Sequence, residues 1–357
     1  MKRIFVNILI ILSLSLTILS QEREVFKLNP LPSTLLKPTL KVSCVKDLNY
    51  WKQPNLKNFW SWMPRLQFSV SGPIDDASYF TYEFFTADGK LWFSVDSEPF
   101  SIREGDYLNF ESEAVPKWTD KRSTIATGTF SFKITLKNPL QNTSKLFYQG
   151  KFNVKKEFAG TSHPDFKNQY LFYVDQDWRL PIAYLSFNAK QDADSPYFQA
   201  TMWFRGDFRS KIKGYLFYNG KQVANTDQTG GVNQVDYVFV DGDSDTKFRW
   251  EASTLNFFNA RLFDNKGENA SRHIFKNKPG NYEIKVLLDD EIVRTATFTV
   301  GADGKLVDNG IAKNSGITGF GIIVPAKVNP LKEGTVDLQS YKTDSFYGNP
   351  LNGFSIQ

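Results

Sequence analysis

Three closely spaced aspartates have the residue type and the spacing of a possible metal site. Asp241, Asp243 and Asp245 alternate with small residues, a spacing at which a tight loop directs several carboxylate oxygens toward one Ca²⁺. The pattern then departs from the helical calcium loop, because Thr246 stands at its glycine position and Ala252 at that of its bidentate glutamate. Two interpretations stay open, a weak calcium site of another type and an acidic hairpin turn.

Two further aspartate pairs could do related chemistry. Asp175 with Asp177, and Asp192 with Asp194, could add calcium ligands or act as paired acids in glycan cleavage. Paired aspartates are also common in loops, and nothing in the sequence brings these two pairs together.

Aromatic side chains crowd the segment before the first regular pattern. Trp51, Trp60 and Trp62 lie there with Tyr50 and Phe59, more aromatic surface than one strand buries on a single face. If exposed, the three tryptophans form a stacking platform suited to the apolar faces of sugar rings. The alternative is a hydrophobic plug that covers the open end of a sandwich.

Basic residues suggest a second binding surface. Arg209, Lys211 and Lys213, preceded by Arg205, recur at even spacing, which places them on one face if the segment is a single strand. Such a stripe could meet an anionic envelope polymer. The alternative is a solvated edge that is protected by its charge.

Motifs of enzymes are largely missing from the sequence. It contains no G-x-S-x-G, P-loop or H-E-x-x-H motif and only two histidines, His163 and His273. Ser162, His163 and Asp165 are adjacent, whereas members of a catalytic triad come from distant segments. The sequence therefore favours a protein that is not an enzyme and has no cofactor besides the calcium considered above.

The N-terminus carries the pattern of an export signal. Lys2 and Arg3 precede an apolar run from Ile4 to Leu19, and Ser20 offers a small residue for cleavage. We expect a signal peptide over 1–20, with an uncleaved anchor as the alternative. Its removal lowers the formal charge from +5 to +3, which is too weak to favour nucleic acid. No second apolar stretch of spanning length follows, so we expect a secreted, periplasmic or cell-surface protein.

The strands that must hold these residues are predicted from a series of similar residues that occurs twice in the same order, over 72–154 and again over 206–300. An aromatic strand opens each copy, at Tyr82 and at Tyr215, and a glycine opens a closing strand of alternating polarity, at Gly128 and at Gly280. A tight hairpin turn, with positive φ at both central residues, is expected after each aromatic strand, at Asp88-Gly89 and at Asn219-Gly220. Trp118 and Trp250 are a further matched pair.

Short aromatic and β-branched strands bounded by turn residues predict an all-β protein of two tandem immunoglobulin-like antiparallel β-sandwich domains, with jelly-roll sandwiches as the alternative. The expected limits are a leader over 21–39, domains over 40–155 and 165–303, a connector over 156–164, and an irregular C-terminal tail over 304–357. Within the tail, 317–328 could pack as one strand against the second domain. The segment 251–263 fits either a helical turn or a strand pair.

Such sandwiches host many functions, so function has to come from a site. The features above favour a secreted or surface binding protein without catalysis, whose partner is an extracellular protein or polysaccharide. The alternatives are a glycan-binding accessory protein or glycan-active enzyme, and a calcium-stabilised adhesion module.

Overall fold

The computed structural model describes residues 34–47, 61–71, 74, 77–97, 108–111, 122–158, 170–188, 196–206, 208, 212–227, 235–241, 248–263, 272–308 and 321–339. In these residues the strands are, in chain order, β1 (Thr34–Asp47), β2 (Ser61–Ser71), β3 (Tyr79–Phe85), β4 (Leu91–Asp96), β5 (Leu108–Glu111), β6 (Gly128–Asn138), β7 (Thr143–Phe158), β8 (Tyr170–Val174), β9 (Ile182–Phe187), β10 (Tyr197–Arg205), β11 (Ile212–Tyr218), β12 (Lys221–Asn225), β13 (Val235–Asp241), β14 (Trp250–Arg261), β15 (His273–Ile274), β16 (Gly280–Leu288), β17 (Glu291–Val300) and β18 (Ile322–Val328). Helical residues in the described chain are single 3-10 turns at Asp177–Arg179, Phe275–Asn277 and Pro330–Lys332. The prediction of an all-β protein is confirmed.

The strands form three sheets. The first half has a sheet in the order β1-β2-β5 and a second in the order β4-β3-β6-β7-β8. The other half has one long sheet in the order β12-β11-β16-β17-β18-β9-β10-β14-β13, with β15 beside β14. Pairing is antiparallel except between β14 and β15.

The two sheets of the first half pack face to face around an aromatic core. Phe68 on β2 lies 5.3 Å from Phe80 and 6.2 Å from Tyr82, both on β3, measured between ring centroids. These rings are almost fully buried, and Cys44 packs at the margin of the same core. Packing of this kind stabilises the half without a disulfide.

The long sheet folds back on itself around a second core. Strands β11 and β12, near one end of the sheet order, contact β14 near the other end. Gly214 on β11 permits this approach, because a Cβ there would stand 3.0 Å from the Phe257 ring and 3.1 Å from Leu255. The close crossing closes the second sandwich.

Two strands separate the cores. On β9, Ile182 packs in the first core and Ala183 in the second, and on β18 Ile323 faces the first core while Ile322 and Val324 face the second. Burial on both faces explains why Ile322-Ile323-Val324 is a continuous apolar run instead of an alternating one. The strand expected in the tail is confirmed at Ile322–Val328, between β17 and β9.

The closing hairpins of the two halves share one register. Gly128 pairs with Val154, and Gly280 with Val300, and both glycines have positive φ, of 115° and 139°. Each hairpin carries its bulge six residues later, after Ile134 and after Val286. The prediction of equivalent closing hairpins is confirmed.

The aromatic strands of the two halves are equivalent, but in a register one residue away from the match of Tyr82 with Tyr215 that the sequence suggested. Tyr82 pairs with Ile134 and is buried, whereas Tyr215 pairs with Lys285 and is half-buried, so the register makes Tyr215 equivalent to Glu83. A shift of one residue turns a side chain to the opposite face of a sheet. The expected turn, with positive φ at both central residues, is present at Asn219-Gly220, whereas in the longer first turn Gly89 has positive φ and Asp88 does not.

The strand pairing also differs from the domain limits that the sequence predicts. Strand β8 pairs with β7 of the first half, although its residues lie within the limits expected for the second domain.

The segment 251–263 is a strand, β14, so its interpretation as a helical turn is wrong. Its residues Trp250 to Phe257 are all buried, on both faces, which removes the alternation that would have identified a strand. Trp118, the expected counterpart of Trp250, lies outside the described residues.

Candidate functional site

The predicted tryptophan platform is not formed by Trp62. This side chain is 1% exposed, meets the rings of Trp92, Phe130 and Phe152 edge-on, and donates its indole N–H to the Ala126 carbonyl at 2.9 Å. Trp62 therefore belongs to the first core, as in the plug interpretation, and is not available to stack on a ligand. Trp51 and Trp60 lie outside the described residues.

The predicted basic stripe does not follow one strand. Arg205 ends β10 and is mostly buried, while Lys213 lies on β11, exposed and 3.6 Å from the carboxylate of Asp227. Arg209 and Lys211 lie outside the described residues. The expected common face is therefore wrong for the two residues that are seen, because the chain leaves one strand between them.

The predicted calcium residues are described only at Asp241, whose backbone ends β13, while Asp243 and Asp245 lie outside the described residues. Among the described residues, no group of three or more His, Cys, Asp or Glu side chains could hold a metal ion.

Asp175 and Asp177 lie at a buried polar junction between the two halves. The Asp177 carboxylate accepts hydrogen bonds from the Trp250 indole at 2.9 Å and the Asp337 backbone N–H at 2.8 Å, and it lies 3.4 Å from the Arg205 guanidinium. Burial raises the pKa of Asp177, and the Asp175 charge adds to this, although these donors lower it part of the way. With its oxygens engaged, Asp177 holds three segments together and is poorly placed for acid catalysis.

The turn that carries Asp177 also fastens β1. Arg179 donates to the Leu40 carbonyl and to the Gln176 side chain, which in turn donates to the Val42 carbonyl at 3.2 Å. Asp175 pairs with Lys155 of β7 at 2.6 Å. This junction therefore connects both sheets of the first half to the start of the second.

A second buried ion pair fixes the C-terminal part of the described chain. Arg294 on β17 donates to both carboxylate oxygens of Glu333, and also to the carbonyls of Trp203 at 2.8 Å and Val293 at 2.7 Å. Both side chains of the pair are 0% exposed. This pair was not predicted from the sequence. Its available signal was an arginine in phase with the inward residues Ala296 and Phe298.

The outward face of β11, β16 and β17 forms a groove that was not predicted from the sequence either. Two rows of side chains cross these strands, since Phe217 pairs with Glu283 and Glu283 with Thr297, while Asn281 pairs with Thr299 one step along. With the half-exposed side chain of Val307, they surround a cavity of about 620 Å³. Binding sites for small ligands usually have volumes of 300–1,000 Å³.

The side chains of the groove are ordered by contacts with one another. Lys285 lies 3.3 Å from the Glu283 carboxylate, and its ammonium stands 4.8 Å from the centre of the Phe217 ring. The Thr299 hydroxyl donates to the Asn281 side-chain oxygen at 3.0 Å. The groove thus offers one aromatic ring, amide and hydroxyl groups that both donate and accept, and a carboxylate offset by an ammonium.

The equivalent positions of the first half show which of these side chains are shared by both hairpins. By the shared register, Phe85 and Lys133 are equivalent to Phe217 and Lys285, and Lys133 stands 5.1 Å from the Phe85 ring. Glu283 is replaced there by Ser131 and Thr297 by Lys151. The ring and its cation are therefore common to both hairpins. A row of one amide and one hydroxyl is common as well, since Thr129 pairs with Asn153 where Asn281 pairs with Thr299, so Glu283 and Thr297 are the groove residues that differ between the halves.

Comparison with known proteins gives no relative. No family model, curated protein or solved structure matches the chain. Within the described residues, the helical turns are too short to reach across a bilayer.

Proposed function

We propose that this chain is an exported, non-catalytic binding protein built from two immunoglobulin-like sandwiches, and that the groove on β11, β16 and β17 is its ligand site. The observation that carries the proposal is the groove itself, a cavity of about 620 Å³ in which apolar and hydrogen-bonding side chains converge.

The difference between the halves supports a functional role for the groove. Both closing hairpins have the same register, so the fold is satisfied by Ser131 and Lys151 as well as by Glu283 and Thr297. Polar side chains that the fold does not require, gathered around a cavity, are typical of binding sites. The shared register also supports the duplication of one sandwich unit.

The proposal that the protein is not catalytic is supported by the contacts of its acidic side chains, which are engaged by neighbouring groups. Asp177, a buried member of the predicted acid pairs, is engaged by the Trp250 indole and the Asp337 backbone. In the groove, the Glu283 carboxylate is held by Lys285. Export is supported by the charge and apolar pattern over 1–20.

Site-specific photo-crosslinking tests the proposal. A photoreactive residue is placed at exposed Thr297 in the groove and, as the matched control, at exposed Lys151, which has the same place in the first hairpin. After irradiation in the extracellular fraction of the source cells, we expect a macromolecule attached at 297 and not at 151. Equal labelling at both positions, or none at 297, contradicts the proposal.

A further inference from the structure

The groove on β11, β16 and β17 has the chemistry of a carbohydrate site, and we infer that it takes a segment of a neutral oligosaccharide or polysaccharide. The inference rests on the proposed binding function and adds the class of ligand. It is carried by four features of the groove: its aromatic surface, its uncharged polar groups, its balanced charge and its fully paired backbone.

The aromatic surface runs along β11. Phe217 and Tyr215 are both half-buried and point to the same outward face, about 7 Å apart along the strand at the usual rise per residue. Phe217 lines the cavity and Tyr215 extends the face beyond it. Flat rings at this spacing suit the apolar C–H faces of successive sugar units, so the site fits a chain better than a single sugar.

The polar groups match hydroxyl groups in kind. Asn281 and Thr299 form one hydrogen-bonded row, and Thr297 is exposed beside Glu283 in the next. Amides and hydroxyls donate and accept at once, as do the hydroxyls of a sugar. Groups held in place by each other lose little freedom when a ligand binds.

The charge of the groove favours a neutral ligand. Glu283 and Lys285 lie 3.3 Å apart and offset one another, so the groove does not attract a polyanion. The equivalent face of the first half differs, since Lys133 and Lys151 are both exposed there. A neutral polymer would therefore distinguish the two faces by their charge.

The backbone under the groove is unavailable to a peptide. Strand β11 lies between β12 and β16, β16 between β11 and β17, and β17 between β16 and β18. A peptide that adds a strand needs an unpaired sheet edge. A ligand of this face must therefore be recognised by side chains, which suits the scattered hydroxyl groups of a sugar chain.

Affinity electrophoresis of the full mature chain tests the class of ligand. The gels contain a soluble β-glucan, a galactomannan or soluble starch as neutral probes, and heparin or alginate as anionic probes. We expect at least one neutral polysaccharide to retard the protein. Phe217→Ala should raise the apparent Kd at least tenfold, which corresponds to about 1.4 kcal/mol. Phe85→Ala is the matched control and should leave the retardation unchanged.

Three outcomes overturn the inference: no neutral polysaccharide retards the protein, only the anionic ones do, or Phe217→Ala and Phe85→Ala behave alike. An unchanged urea midpoint in both variants shows that the fold is intact. If a macromolecule is still captured at 297 by photo-crosslinking, the binding function stands and only the class of ligand is wrong.

Discussion

The buried pair of Arg294 and Glu333 gives the sharpest test of how the second half is held together. Arg294→Met keeps most of the apolar volume but removes the guanidinium. Glu333 is then left as a buried carboxylate that still accepts from the Arg205 backbone N–H at 2.8 Å, and the Trp203 carbonyl loses its hydrogen bond from Arg294. Removing one partner of a buried ion pair costs about 3–5 kcal/mol. That is a large part of the 5–15 kcal/mol that is typical of a folded protein.

The assay is urea unfolding of the purified chain, followed by tryptophan fluorescence and by circular dichroism. Lys327→Met is the matched control, because this cation is exposed on neighbouring β18 and should change the free energy of unfolding by less than about 0.5 kcal/mol. The double variant Arg294→Met with Glu333→Leu removes both charges and should be at least about 1 kcal/mol more stable than Arg294→Met alone. A loss below about 1 kcal/mol in Arg294→Met, or a double variant that is less stable than the single one, refutes the reasoning.

Three further variants probe the cores. Trp62→Ala should lower the free energy of unfolding by about 3–5 kcal/mol in a urea titration, since Trp62 is core, and a loss below about 1 kcal/mol contradicts its burial. Gly214→Ala should cost about 1–3 kcal/mol, seen as a lower melting temperature, because the new Cβ meets Phe257 at 3.0 Å; an unchanged melt contradicts the close crossing of β11 and β14. Burial, together with the charge of Lys278, lowers the pKa of His273 from its usual 6.5 to about 4. Between pH 6.5 and 4 the unfolded state therefore binds more protons than the folded state, so the free energy of unfolding falls as the pH drops. His273→Gln should reduce this loss by about 2 kcal/mol, after allowance for solvent near the ring, and an identical pH profile in both proteins contradicts the assignment.

Local patterns were enough to predict the strands and the hairpins. The alternation after Gly128 and Gly280 identifies half-buried strands, and Asn219-Gly220 identifies a tight turn, because these signals are determined by neighbours in the chain. The pattern failed at β14, where burial on both faces removes alternation. It also failed at the aromatic strands, where matching Tyr82 with Tyr215 is one residue out of register and so exchanges the two faces.

The groove and the junction could not be predicted in the same way, because they join distant segments. Phe217 meets Glu283 only because β11 pairs with β16, and four strands of the described chain, β12 to β15, lie between these two in chain order. Asp177 similarly meets Trp250 and Asp337 across 73 and 160 residues. Periodicity reports which face a residue takes, and it carries no information on which strand will lie beside it.

Hydroxyl-radical footprinting shows whether a neutral polysaccharide covers the groove. Phe217 and Phe85 are half-buried rings at equivalent positions, so both should be oxidised in the free protein, with Phe85 as the internal control. The polysaccharide that retards the chain is then added, and the two oxidation rates are measured by mass spectrometry. We expect Phe217 to become protected while Phe85 is oxidised as before. Equal oxidation of Phe217 with and without the polysaccharide would contradict this expectation.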